Sequence, residues 1–203
     1  MTKMAYSKFK LAQVLDNFNI TLIEEVDLFP DVPSAEPSEL LKAVLKRGIP
    51  LAEAISTEKA RSEFVLAPIL SEVRERLAGR ISLFSGVEFN VDPARGLNGE
   101  CDFLLSRSPL QTVLRAPAFA IVEANNLSLS PGLGQCIAEM IAAQLFNEKA
   151  GKPLPCIWGA VTTGLNWRFL KLEGQTVTMD HLERSLNGVA GILGILLYIA
   201  EGS

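Results

Sequence analysis

The stretch AFAIVEANNLSLSPGLGQCIAEM, from Ala118 to Met140, decides the fold of this chain. Its seven opening residues predict a buried strand, and the segment that begins GLGQ predicts a helix with an apolar stripe. The stripe comprises Ile137, Ile141 and Leu145. A strand followed by a crossover helix implies at least one parallel pairing in the sheet. The stretch also raises a question of charge, because Glu123 ends the strand and the neutral Asn125 stands where a cation would offset it.

Composition limits the class of protein. With 203 residues, 48% of them hydrophobic and 21% charged, the chain has the composition of one globular domain with a sizeable core. Its net charge of −4 provides no large basic field. This counts against a strong nonspecific DNA binder, but an enzyme that holds DNA in one local groove remains compatible with it.

The chain has few residues for zinc binding or nucleophilic catalysis. Cys101, Cys136 and Cys156 are scattered among apolar residues without a Cys-x-x-Cys pair, and His181 is the only histidine. A Cys/His zinc site is therefore not expected. Ser–His or Cys–His catalysis would depend on His181 alone, which we interpret as structural or on the surface. We expect reduced, buried thiols in a cytoplasmic protein.

The C-terminal segment GVAGILGILLYIA is the most apolar part of the chain. It is shorter than the roughly 20 residues that a membrane span needs, so it predicts a helix buried against the domain, and no membrane contact is expected. Its glycines, Gly188, Gly191 and Gly194, recur every three residues and would let a neighbouring element approach closely.

Two regions are expected along the chain. Residues 1–48 form an N-terminal accessory helical region that ends where Gly48 stops the helix ELLKAVLKRG. Residues 49–203 form the second region, which begins with a long helix that Pro68 should kink. Three strands, a helix, two strands and a final helix near Asp180 then follow. The predicted class is α/β or α+β, with helices flanking a mixed sheet.

Four polar residues interrupt apolar segments and predict a site. Asp102 lies in the second of the three strands and Glu123 in the third, while Glu63 and Gln135 lie on the helices before and after them. Neighbouring strands can place Asp102 beside Glu123, where their like charges repel unless a cation lies between them. Carboxylates without Cys or His suit a hard ion such as Mg²⁺. We therefore expect both carboxylates close enough to share one ion, and Gln135 turned toward Glu123.

The order of these residues resembles the PD-(D/E)XK nuclease superfamily, whose restriction-endonuclease-like core runs αβββαβ. The resemblance covers about residues 57–172 and is closest to small single-domain members. It rests on TEKARSEF, GLNGECDF, IVEA and GQCIAEM. It implies that Asp102 and Glu123 are the metal-binding acids and that Glu63 and Gln135 support them. The residues before this core are then an N-terminal helical extension.

One position departs from the superfamily pattern. Two residues after the second acid the pattern has a lysine, which would lie on the same strand face, but here the residue is Asn125. Asn126 would point to the opposite face. Either a cation comes from elsewhere (Lys171, Lys59 or Arg61), or Asn125 positions the water itself, or the site is degenerate.

The resemblance implies a Mg²⁺-dependent endodeoxyribonuclease, with Mn²⁺ as a substitute ion and Asp102, Glu123, Asn125, Glu63 and Gln135 as site residues. The alternative is a catalytically inactive protein of the same fold that acts as a binding or assembly subunit. A purely structural acid cluster is a third interpretation. The expected partners are DNA, if the protein is active, and a second copy of the chain in a homodimer.

Overall fold

The computed structural model describes residues 5–125 and 128–202, so Asn126 lies outside the described residues. The helices and strands follow one another in short groups along the chain. The helices are α1 (Leu11–Phe18), α2 (Glu39–Ile55), α3 (Glu58–Arg61), α4 (Ala67–Arg76), α5 (Ser130–Lys149) and α6 (Val189–Glu201). The strands are β1 (Thr21–Val26), β2 (Ser82–Glu88), β3 (Glu100–Ser106), β4 (Ala118–Ala124), β5 (Ile157–Thr162), β6 (Asn166–Glu173), β7 (Thr176–Asp180) and β8 (Arg184–Ser185). Short 3₁₀ turns occur at Tyr6–Lys8, Pro93–Arg95 and Leu186–Gly188.

The described strands form one mixed sheet in the order β1-β7-β6-β5-β4-β3-β2, with β8 paired to β6. The strands β2, β3 and β4 form an antiparallel meander, and β4 then pairs parallel with β5 across the connection through α5. The predicted mixed sheet with flanking helices is therefore confirmed. The predicted order of helix, three strands, helix and strand is also observed.

Each face of the sheet carries its own apolar core. On one face α5 packs together with α1 and the Tyr6–Lys8 turn, and on the other α2, α4 and α6 pack over the same strands. The alternation of side chains along each strand sends successive residues to opposite cores. On β4, for example, Ile121 belongs to the α5 core, whereas Val122 and Ala124 belong to the other.

The predicted burial of the α5 stripe is confirmed for Ile137 and Ile141 and only in part for Leu145. Ile137 and Ile141 are buried, and Leu145 packs half-buried against the same core. Most of α5 is enclosed, because the sheet covers one side and the N-terminal segment covers another.

Two predicted helix boundaries are wrong. Gly48 does not stop its helix, since α2 continues to Ile55, and a Cβ on Gly48 would lie 2.3 Å from the carbonyl oxygen of Phe64. Gly48 therefore serves close helix packing within a continuing helix. The final helix begins at Val189 and not near Asp180, because the preceding segment forms β7 between β6 and β1.

The helix in which a kink at Pro68 was predicted changes its hydrogen-bond register shortly before that residue. One π-helical turn, Ser62–Leu66, separates α3 from α4, and Pro68 lies in the first turn of α4. A proline there lacks an N–H that a helix start leaves unpaired in any case. The N-terminal region is also tied to the rest, because α2 crosses residue 48 and β1 pairs with β7.

No helix in the described part of the chain is both long and apolar enough to cross a membrane. The apolar C-terminal helix α6 has 13 residues and packs against α4 and β4. The exposed His181 follows β7, and its backbone N–H donates to the carbonyl of Val26.

Candidate carboxylate site

The antiparallel register of β3 and β4 brings the two strand acids together. Phe103 pairs with Val122, and continuing that register by one step places Asp102 opposite Glu123. Residues directly opposite one another share a face of the sheet. Since Leu104 of β3 belongs to the α5 core, Asp102 two residues earlier also faces α5. The two acids therefore lie on neighbouring strands and on one face, as the sequence predicted.

The carboxylate of Asp102 accepts a backbone hydrogen bond at the end of the β3–β4 pairing. Its Oδ2 accepts from the backbone N–H of Ala124 at 2.8 Å. Burial raises the pKa of Asp102 to about 6, the hydrogen bond from Ala124 opposes this, and the carboxylates of Glu58 and Glu100 add to it. The side chain is half-buried, so one edge of the site is open to solvent.

Glu123 is far more enclosed, with 5% of its surface exposed. Burial raises its pKa to about 11, and the carboxylates of Glu139, Asp102 and Glu58 contribute in the same direction. The hydrogen bond with Gln135 opposes the shift. Its Oε2 is buried and has no hydrogen-bond partner among the described residues. Such an oxygen is costly when charged, so it requires a proton or a cation.

Asn125 lies on the same side of β4 as Glu123. A Cβ on Gly132 of α5 would lie 3.5 Å from Cγ of Glu123 and 3.4 Å from Nδ2 of Asn125, so both side chains approach α5 at this glycine. The backbone N–H of Asn125 donates to the carbonyl of Thr162 at 2.8 Å, which extends the pairing of β4 with β5. Asn125, which stands where the lysine was expected, is therefore well placed for the site but carries no charge.

Gln135 is held between two acids. Its Nε2 donates to Oε1 of Glu139 at 3.0 Å, one helical turn later, and its side chain also hydrogen-bonds Glu123. Glu139 is fully buried, and burial raises its pKa well above the ordinary range. Sequence reasoning identified Gln135 but missed Glu139, although i and i+4 share one helix face.

Glu63 lies apart from these residues. Its half-exposed side chain pairs with Lys59 at 3.0 Å and lines a groove against α2 together with Phe64. The helix acid that acts on Asp102 and Glu123 is instead Glu58, at the start of α3. The structure thus brings together Asp102, Glu123, Asn125 and Gln135, adds Glu139, and leaves Glu63 outside. We call those five residues the carboxylate site.

The three cations that could replace the motif lysine, Lys171, Lys59 and Arg61, lie in different parts of the structure. Lys171 is on the other face of the sheet, where its Nζ lies over the ring of Trp158 and pairs with Glu173 at 2.8 Å. Lys59 pairs with Glu63, as described above. Arg61 donates to the carbonyl of Thr163 at 3.2 Å, at the end of β5.

A cleft of about 820 Å³ lies beside the N-terminal turn of α5, and no residue of the carboxylate site is among the described residues that line it. Ser130 and Leu133 of α5 line it on either side of Gly132, and Thr163 lines it beyond the end of β5. Two guanidinium groups also border it, those of Arg61 and Arg168. Arg168 pairs with Glu183 at 3.3 Å, so the cleft combines hydroxyl, amide and charged groups of both signs.

No three His, Cys, Asp or Glu side chains within residues 5–125 and 128–202 surround a common metal position. A three-residue metal centre is therefore not preformed in that part of the chain. Pairs of carboxylates are a different case, because Mg²⁺ is usually bound by one or two carboxylates and keeps several waters.

Comparison with known proteins gives no family for this chain. No protein-family model matches it, and no curated protein matches it significantly.

Proposed function

We propose that this protein is a Mg²⁺-dependent nuclease of the PD-(D/E)XK type that hydrolyses DNA phosphodiesters. The observation that carries the proposal is the placement of Asp102 opposite Glu123 on one sheet face, with an oxygen of Glu123 buried and unpartnered. Two acids in such surroundings raise one another's pKa and favour a bound cation.

The residues present fit a hard divalent ion. Asp102 and Glu123 would hold Mg²⁺, or Mn²⁺ in its place, through carboxylate oxygens, which are the ligands these ions prefer. When bound, such an ion activates water and stabilises charge on the phosphate. Glu123 would release its proton on binding, so metal affinity should rise with pH.

The chain's own residues then account for orientation and access. Asn125 can hydrogen-bond a water or phosphate oxygen beside Glu123, and Gln135 fixes the Glu123 side chain. The cleft beside the N-terminal turn of α5 can take a phosphodiester strand, since Arg61 and Arg168 border it and hydroxyl groups line it. We place this activity in the cytoplasm, because all three cysteines are free and Cys101 and Cys136 are buried.

A second candidate is a binding or assembly subunit of the same fold without activity. The position of the lysines favours it. Lys171 lies across the sheet from Glu123, and Lys59 is paired with Glu63. In this case neither Lys171 nor Lys59 replaces the motif lysine that is absent at position 125. The site would then lack the group that orients water.

Cleavage of plasmid and linear DNA with Mg²⁺ or Mn²⁺ tests both candidates. We expect weak cleavage by the natural protein and an increase of about 100-fold or more for Asn125→Lys, because an aligned acid–base or orienting group contributes about 10²–10⁴-fold. The double variant Asp102→Asn/Asn125→Lys should lose this gain.

Lys171→Ala is the matched control, because Lys171 lies on the opposite face and its loss should leave cleavage unchanged. If that variant abolishes cleavage, the motif lysine has migrated to position 171. If neither the natural protein nor Asn125→Lys cuts DNA with either ion, the inactive binding subunit is the better description.

A further inference from the structure

The helix α2 presents an apolar stripe to solvent. Nine large apolar side chains are exposed in the described part of the chain, and four of them belong to this helix: Leu40, Val44, Leu51 and Ile55. Steps of four, seven and four residues place all four within about 60° of arc on one side of an α-helix. The neighbouring side of α2 is already buried in the core, so the stripe is a second apolar face that the described elements leave exposed.

The stripe borders a groove of about 490 Å³ between α2 and residues 62–68. The far wall of this groove includes Phe64 and Pro68, and three of the four stripe residues line it from α2. Ile55 continues the stripe beyond the groove, which gives an apolar surface about 22 Å long from Leu40. A surface of this length suits an amphipathic helix, because such a helix binds through side chains spaced every three or four residues.

The spacing of the stripe indicates which helix fits it. Steps of four, seven and four residues are the same when counted from either end of α2. When two copies of α2 lie antiparallel with their midpoints together, Leu40 of one copy therefore meets Ile55 of the other. Val44 likewise meets Leu51. A two-fold axis requires such self-complementarity, because the same patch must serve on both copies.

The charges at the centre of the stripe are complementary in the same arrangement. The midpoint falls between Arg47 and Gly48, so Arg47 of one copy lies opposite Gly48 of the other. Gly48 packs against Phe64, since a Cβ there would clash with its carbonyl oxygen, and Glu63 lines the same groove. The exposed Arg47 has no ion-pair partner among the described residues, and it would approach Glu63 of the second copy. Opposite charges at this point favour a second copy over an unrelated apolar helix.

We propose that the α2 stripe is the interface of a homodimer in which two α2 helices pack antiparallel. Apolar contact along the stripe joins the copies, and an ion pair between Arg47 and Glu63 lies on each side of the axis. Burial of four aliphatic side chains from each copy supplies the main stabilisation. The interface is separate from the carboxylate site, so it does not depend on the proposed nuclease activity.

Sedimentation velocity of the full chain over a range of concentrations tests the interface. We expect a dimer for the natural protein and a dimer at least about tenfold weaker for Val44→Glu, because a buried, unpaired carboxylate opposes association. Val113→Glu is the matched control and should leave the dimer unchanged, because Val113 is also exposed but lies between β3 and β4. A Val44→Glu dimer as tight as the control overturns the proposal. A natural protein that stays monomeric also overturns it and leaves the stripe to a helix of another protein.

Charge reversal tests the arrangement independently of any effect of Val44→Glu on folding. Arg47→Glu and Glu63→Arg should each weaken the dimer, since like charges would then meet across the axis. The double variant should regain the affinity of the natural protein. If it is no tighter than the single variants, the two side chains do not meet and the antiparallel arrangement is rejected.

Disulfide formation tests the register of the two helices. A Cys156→Ser background removes the one cysteine of the chain that is not buried. When Val44→Cys and Leu51→Cys proteins are mixed and oxidised, the mixed dimer should form first, because positions 44 and 51 lie opposite each other. Two copies of the same position would lie about 10 Å apart along the helices. Faster cross-linking of either variant with itself overturns the proposed register.

Discussion

At the scale of single residues, Glu139 shows why an acid inside a helix is harder to identify than one inside a strand. Glu123 is conspicuous in the sequence because every neighbour in its strand is apolar. Glu139 follows the helical pattern of α5, where an occasional acid normally marks the solvated face. Here the N-terminal turn, Tyr6–Lys8, covers this side of α5 as well. Tyr6 lies near enough to Glu139 for the carboxylate to raise the pKa of the tyrosine.

The raised pKa of Glu123 predicts how the stability of the metal-free protein depends on pH. The native state keeps this proton up to a pKa of about 11, whereas the unfolded chain releases it near pH 4.3. Above about pH 4.3 the unfolded state therefore binds fewer protons, and the free energy of unfolding falls as pH rises. One such group contributes up to about 1.4 kcal/mol per pH unit.

Glu123→Gln should flatten this dependence, because glutamine does not titrate. Urea unfolding of both proteins with EDTA at pH 5 and pH 8 measures it: the natural protein should lose more stability between the two pH values than the variant. Equal losses would show that Glu123 is ionised in the native state. Adding Mn²⁺ at pH 8 should restore stability to the natural protein alone.

At the scale of elements, the strands of the core were easier to predict than the ends of the helices. The segments CDFLL and AFAIVEA have the continuous apolar character of strands buried on both faces, and they pair as expected. The predicted helix end at Gly48 and the predicted start of the final helix were wrong because tertiary packing determines both boundaries. Gly48, which the sequence predicted to end the helix, instead provides room for the backbone of Phe64.

The glycines of α6 give a prediction that separates packing from helix propensity. A Cβ on Gly194 would lie 2.1 Å from the carbonyl oxygen of Pro33, whereas a Cβ on Gly191 would meet nothing within 4 Å. Gly194→Ala should therefore destabilise the protein by about 1–3 kcal/mol through overpacking. Gly191→Ala should stabilise it by up to about 1 kcal/mol, because alanine favours the helix.

Thermal and urea unfolding of the two variants measures the difference. Both substitutions add one methyl group to the same helix, so the change in intrinsic helix propensity is matched. The two variants then differ in what the new methyl group meets. Equal effects would mean that the loop containing Pro33 moves aside without cost. The sequence predicted close approach at all three glycines, and the structure confirms it only for Gly194.

At the scale of the whole molecule, the N-terminal region contributes to both cores. On the α5 face Tyr6 donates its hydroxyl to the carbonyl of Phe89 at 2.6 Å, and Phe9 and Phe18 are buried beside it. On the other face Phe29 contacts the ring of Trp158 at 5.3 Å between centroids. Sequence periodicity does not reveal such contacts, because they join residues far apart in the chain. The strand acids were identified from local pattern, whereas the enclosure of Glu139 depends on these distant contacts.

These contacts predict how a chain beginning at residue 49 will behave. It would lack β1, the first ten residues of α2 and the four buried aromatic rings named above. Deleting one buried aromatic side chain costs about 3–5 kcal/mol, so the loss of four, about 12–20 kcal/mol, is as large as or larger than the roughly 5–15 kcal/mol that stabilises a typical domain. We therefore expect residues 49–203 to show no cooperative unfolding transition by circular dichroism. A cooperative transition in the shorter chain would instead support the boundary at residue 48 as a true domain limit. In that case the enclosure of Glu139 would not depend on the N-terminal turn, and Mn²⁺ binding by the fragment would show whether the carboxylate site is complete without it.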